Sequence, residues 1–152
     1  MQTAERLVTR SAATITLVCC AMAHAGVPGD HALVKTEISV SRNVLRPGER
    51  GDIVLHLDPS DGIHVNARPP VTFAVAPGGI VILDSLAEQP IDVRHGYLAT
   101  SHPVRQPFHV LPDTRPGEYT LRGTCTYFYC SDNEGWCRKA SLPIELTFTI
   151  MK

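Results

Sequence analysis

The stretch Cys125-Thr126-Tyr127-Phe128-Tyr129-Cys130-Ser131-Asp132-Asn133-Glu134-Gly135-Trp136-Cys137-Arg138-Lys139 decides how the rest of the chain is read. It carries three of the five cysteines, two of the four tyrosines and the single tryptophan. Strand-like alternation runs into it and out of it. Between Cys130 and Cys137 lies a polar tip, Ser131 to Trp136. This is the pattern of a β-hairpin that carries a disulfide.

Successive side chains on a strand point to opposite faces. On the incoming side the odd positions Tyr119, Leu121, Cys125 and Tyr127 are mostly apolar, and the even positions Thr120, Arg122, Thr124 and Thr126 are polar. On the outgoing side the apolar set is even: Leu142, Ile144, Leu146, Phe148 and Ile150. Setting Cys130 opposite Cys137 places Cys125 opposite Leu142, both on apolar faces. One register therefore satisfies both strands, and a slip by one residue breaks it. Directly opposed residues lie roughly 4.5–5.5 Å apart, within disulfide reach. Cys125 sits further down the strand, roughly 17 Å away at strand rise, too far to bridge Cys137. The expectation is a Cys130–Cys137 disulfide on the outward face, with Cys125 inward, unpaired and acting as a small buried apolar residue.

Working outward, further alternating runs are separated by turn signals. Val34 to Ser41, Ile53 to Asp58, Val71 to Val75, Ile80 to Leu83 and Val104 to Leu111 read as strands. Arg46-Pro47-Gly48-Glu49, Pro59-Ser60-Asp61-Gly62, Pro77-Gly78-Gly79 and Asp113 to Gly117 read as turns. Twelve prolines and eleven glycines, with no sustained 3.6-residue apolar period, argue against helices. The fold class expected is all-β, an immunoglobulin-like antiparallel β-sandwich with a cysteine-bearing hairpin. Gln89 to Pro103 lacks a pattern and reads as a long loop.

Residues 1–25 read as a secretory signal. Arg6 and Arg10 precede the apolar run Ile15 to Ala23, which contains Cys19 and Cys20, and Ala23-His24-Ala25 fits cleavage after Ala25. No later run reaches the ~18 apolar residues that cross a bilayer, so the expected product is periplasmic or secreted, with no membrane insertion after cleavage. Residues 26–152 then form a single domain. Removing Glu5, Arg6 and Arg10 changes 14 basic against 15 acidic residues to 12 against 14, a net charge of −2. That balance argues against nucleic acid as a partner. Export places the cysteines where a disulfide persists, and three mature cysteines leave one over.

Two segments together resemble the N-terminal domain of the bacterial thiol:disulfide interchange protein DsbD. The first is Gly62-Ile63-His64-Val65-Asn66-Ala67 followed by Pro69-Pro70. The second is Tyr129-Cys130, then Cys137, then Leu142-Pro143-Ile144 and a terminal strand. The resemblance covers residues 33–150. It implies an immunoglobulin-like periplasmic domain whose hairpin disulfide relays electrons between a membrane-embedded partner and thioredoxin-like thiol–disulfide proteins. It implies that Cys130 and Cys137 are the redox pair, with Cys137 the sulfur that a partner thiolate attacks. This chain departs from the family in placing six residues between the two cysteines, one more than expected there, and in carrying Cys125.

The residues themselves leave alternatives open. The disulfide can be a structural staple in a non-enzymatic periplasmic binding module, or an exposed, labile bond that exchanges. Arg138 and Lys139 favour a thiolate at Cys137, whereas Asp132 and Glu134 oppose one near Cys130. Trp136, Phe128 and Tyr129 are candidates for shielding the bond or docking a partner. A copper-handling protein is a further alternative, with His64 joined by His102 or His109 beside a thiol. A blue-copper site needs a His and a Met close after its Cys, and no His follows Cys137. The fourth ligand of a zinc ribbon is also missing locally. Asp58, Asp61 and Asp132 read as turn residues, and Arg68 beside Pro69-Pro70 as part of a stiff loop. No cofactor pocket is legible.

Overall fold

A computed structural model describes residues 33–152, so the segment expected to be a signal, with Cys19, Cys20 and the expected cleavage after Ala25, lies outside the described residues. In chain order the strands are β1 (Val34–Val40), β2 (Val44–Leu45), β3 (Arg50–Pro59), β4 (Ile63–Val65), β5 (Thr72–Val75), β6 (Val81–Leu83), β7 (Ile91–Asp92), β8 (Tyr97–Leu98), β9 (Val104–Val110), β10 (Gly117–Ser131) and β11 (Trp136–Ile150). Among the described residues there is no helix. The fold is all-β, as the alternation and the turn residues require.

β10 and β11 form the long hairpin in the register expected from parity. Cys125 pairs with Leu142 and Cys130 with Cys137, and the ladder runs unbroken from Gly117↔Ile150 to Ser131↔Trp136. Along the core face Leu121 thereby meets Leu146, Cys125 meets Leu142 and Tyr127 meets Ala140. This hairpin anchors one sheet, ordered β2-β11-β10-β4, with β5 also paired to β10. β2 runs parallel to β11 and every other pairing is antiparallel. β5 can lie against β10 because position 123 is glycine. A Cβ there would collide with the Ala74 carbonyl. The second sheet has the order β1-β3-β9-β6.

The inward faces of the two sheets share one core. Ile53, Leu55 and Phe108 from the four-stranded sheet meet Leu121, Tyr127, Phe148 and Ile150 from the other. The Phe108 and Phe148 rings lie 6.1 Å apart across the layers. β9 contributes Val104, Gln106, Phe108 and Val110 to this face. Gln106 is tolerated among them because its amide donates to the Ser85 carbonyl at 2.7 Å and the Pro107 carbonyl at 3.0 Å.

The segment Gln89 to Pro103 is not a plain loop. It holds the short hairpin β7–β8, with Ile91 opposite Leu98 and Asp92 opposite Tyr97. Its turn closes through Gly96, at φ 75° in the left-handed region, whose amide donates to the Asp92 carbonyl at 2.8 Å. Strands of two residues contain no alternation to detect, which is why the sequence does not reveal them.

Cys125 and Tyr127 are fully buried on the core face, and Cys125 is unpaired. Burial pushes the Cys125 thiol up from 9.0 to about 12. Burial, with the neighbouring Tyr129 and Cys125, pushes the Tyr127 hydroxyl up from 10.0 to about 12. Both groups hold their protons more tightly folded than unfolded, so their contribution is complete below the unfolded values and is lost as pH rises through the folded ones. Each group lowers stability by up to about 1.4 kcal/mol per pH unit inside its window. Urea midpoints should therefore fall between pH 9 and 11, and Cys125→Ala should visibly flatten that fall. An equally steep fall in Cys125→Ala would remove the thiol from the account.

Candidate functional site: a half-covered disulfide at the hairpin tip

Cys130 and Cys137 are bonded, with Cα atoms 4.1 Å apart as directly opposed strand residues. The two ends of the bond have different surroundings. Cys130 is 5% exposed, whereas Cys137 is exposed. The cause is sheet position. At the tip β10 is an inner strand, because β4 pairs along its other side with Val65 opposite Tyr129 and His64 opposite Cys130. β11 is the edge there, since β2 reaches only Thr149 and Ile150. As directly opposed residues both cysteines keep the expected outward parity, but only Cys137 is exposed, because β4 and the residue after it crowd Cys130.

That residue is Asn66. Its backbone amide donates to the Phe128 carbonyl at 2.8 Å, which fixes its side chain beside the disulfide. Its Nδ2 donates to Cys130 Sγ at 3.2 Å. Its Oδ1 lies 3.4 Å from the same sulfur. A disulfide sulfur carries no hydrogen, so Nδ2 is the donor in this state. A reduced Cys130 thiol could instead donate to Oδ1.

His64 is covered by Tyr97 from the β7–β8 hairpin. The two rings stack with centroids 3.6 Å apart and planes 17° from parallel. His64 Nδ1 lies 3.3 Å from Asp132 Oδ2. The Tyr97 hydroxyl donates to the same carboxylate at 3.3 and 3.4 Å. Desolvation, then the Asp132 charge and its hydrogen bond, holds that hydroxyl above the usual phenol range, so it stays a donor. Asp132, expected to serve the turn, in fact ties the hairpin tip to β4 and β8. The turn itself closes through Gly135, whose amide donates to the Ser131 carbonyl at 2.9 Å.

Trp136 stands edge-on to Tyr129 at 5.8 Å, with the Arg138 guanidinium 4.4 Å from its ring centre. Its Nε1 donates to Glu134. Arg138 alternates to the opposite face of β11 from Cys137, so it serves Trp136 before any Cys137 thiolate, whereas Lys139 shares the Cys137 face. Trp136 and Phe128 are half-buried, Phe128 opposite Lys139. Tyr129 is fully buried on the core parity of β10, which corrects its candidacy as a docking residue. An open cleft of about 380 Å³ joins His64, Asn66, Arg68, Tyr97, Trp136 and both cysteines.

The histidines proposed as companions of His64 lie elsewhere. His109 is on β9 of the other sheet, bonded to Asp84, and the exposed His102 ring accepts or donates at Ser101 Oγ, 3.0 Å away. Among the described residues no three His, Cys, Asp or Glu side chains gather closely enough to hold a metal ion. Sequence reasoning missed Asn66, Tyr97 and the role of Asp132. Only the alternation His64-Val65-Asn66, which puts His64 and Asn66 on one face, was available as a signal. No protein-family model matches the chain, and no curated protein matches it.

Proposed function

We propose that this chain is an exported thiol–disulfide exchange module, an immunoglobulin-like domain similar to the N-terminal domain of DsbD, in which Cys130 and Cys137 form the working pair. The single observation that carries this reading is the asymmetry of the bond, one cysteine exposed at a sheet edge and the other buried. Exchange requires in-line attack of a thiolate on an accessible sulfur and departure of the other. A partner thiolate attacks Cys137 Sγ, the Cys130–Cys137 bond breaks, and its electron pair leaves on Cys130 Sγ. The product is a mixed disulfide and a Cys130 thiolate, which Asn66 Nδ2 is placed to stabilise. The partner's second thiolate then attacks its own sulfur in the mixed disulfide, releasing Cys137 as thiolate. Two electrons have moved, the partner dithiol has become a disulfide, and this chain holds two reduced cysteines. In the opposite direction the Cys137 thiolate attacks a partner disulfide and Cys130 resolves the adduct. The partners are thioredoxin-like or membrane-embedded thiol–disulfide proteins of the periplasm.

A staple has less to do at this place. The bond closes a loop with six residues between its cysteines. Chain entropy makes such a loop worth roughly 2–3 kcal/mol, and the hairpin already pairs along its full length. The reduction potential decides between the two readings. Equilibration of the purified mature protein with glutathione, followed by thiol counting, should return a value between roughly −120 and −270 mV. A value below about −300 mV makes the bond a staple and ends the exchange reading.

A further inference from the structure

His64, Cys130 and Cys137 occupy one row across three adjacent strands. His64 on β4 is opposite Cys130 on β10, and Cys130 is opposite Cys137 on β11. Directly opposed side chains share a face with Cβ atoms roughly 4.5–5.5 Å apart. The imidazole therefore stands on the far side of the leaving sulfur from the sulfur that is attacked. Its side chain is 14% exposed, whereas that of its partner Asp132 is 67% exposed.

Resting on the exchange reading above, we propose that His64, oriented by Asp132, is the proton donor and acceptor for Cys130. A thiolate formed at Cys130, which is 5% exposed, is poorly hydrated, and desolvation disfavours the charged form. Asn66 supplies one hydrogen bond but no proton. The other charged or titratable groups at this place are few. Asp132 faces His64 from the hairpin tip, Tyr97 stacks on it from β8, Arg68 lines the cleft, and Lys139 shares the Cys137 face of β11. His95 lies beyond Tyr97, ring centroids 6.1 Å apart, and is engaged by Asp92 at 2.8 Å. Of these, only His64 combines opposition to Cys130 with an imidazole, a ring able both to give and to take a proton.

The step balances. A partner thiolate attacks Cys137 Sγ and the electron pair of the broken bond goes to Cys130 Sγ. Imidazolium at His64 gives its proton to that sulfur, leaving a neutral imidazole and a Cys130 thiol. In reverse, the imidazole takes the Cys130 proton, the resulting thiolate attacks Cys137 Sγ in the mixed disulfide, and the partner leaves as thiolate. His64 Nδ1 faces Asp132, so the carboxylate fixes the orientation of the ring. The exposed carboxylate also links the ring to bulk water, from which the proton is renewed.

The test is the rate of disulfide reduction by dithiothreitol from pH 5 to 9, followed by Trp136 fluorescence and divided by the thiolate fraction of the reagent. Wild-type protein should show a corrected rate that falls at least about tenfold as pH rises from 5 to 9. His64→Gln should give a flat profile at the level of the high-pH limb, and Asp132→Asn, altered at an exposed position, an intermediate one. Unchanged melting temperatures confirm that folding is not the cause. A potential in the exchange range together with a wild-type pH profile in both variants overturns the proton role and leaves the exchange reading standing. A potential in the staple range removes both.

Discussion

In Cys130→Ser, the remaining Cys137 should react with an aromatic disulfide such as dithionitrobenzoate at least roughly a hundredfold faster than Cys130 does in Cys137→Ser. Cys137 is exposed on the edge of its sheet, whereas Cys130 is 5% exposed, with β4 beside it and Asn66 against its sulfur. Each variant loses the same bond and so the same loop constraint, about 2–3 kcal/mol. Altered stability therefore cannot produce the asymmetry. The same pair of variants should separate in trapping. Cys130→Ser, lacking the resolving sulfur, should accumulate a mixed disulfide when its Cys137 thiolate attacks a partner disulfide and the displaced partner sulfur leaves as thiolate, and Cys137→Ser should accumulate almost none. Cys125 should stay silent in both below pH 9, since burial pushes its thiol up to about 12. Equal reactivity of Cys137 and Cys130 in the two variants would mean that the covering of Cys130 opens freely in solution. The mechanism would then lose its assigned direction of attack.

Phe108→Ala should lower unfolding free energy by about 3–5 kcal/mol. Phe108 is fully buried on β9 and faces Phe148 across the layers. Its cross-strand partner is Gly51, and a Cβ at that position would come within 2.8 Å of the ring. The bare backbone at Gly51 and the ring of Phe108 thus form a matched pair, and truncating the ring leaves a void that the backbone cannot close. Domains are stable by about 5–15 kcal/mol, so this single change removes a large fraction of the total. Denaturant midpoints should fall from the wild type through Phe108→Leu to Phe108→Ala. A loss below about 1 kcal/mol for alanine would show that the two sheets do not depend on this contact.

The sequence by itself determined the hairpin. Alternation is a property of each strand alone, and only one register aligns the apolar parity of Tyr119 to Tyr127 with that of Leu142 to Ile150. Cys130 opposite Cys137, Cys125 inward beside Leu142, and an all-β chain with turns at its Gly and Pro clusters all follow from that local property. Tertiary structure alone decided which sulfur is reachable. The covering of Cys130 depends on β4 arriving at the far edge of β10, a pairing between residues more than sixty apart in the chain. Parity says which way a side chain points but not what another segment lays over it. The same limit hid the stacking of Tyr97 on His64 and the bond from Tyr97 to Asp132. β4, β7 and β8 have two or three residues each, too few to carry a period, and they are held by neighbours rather than by their own propensity.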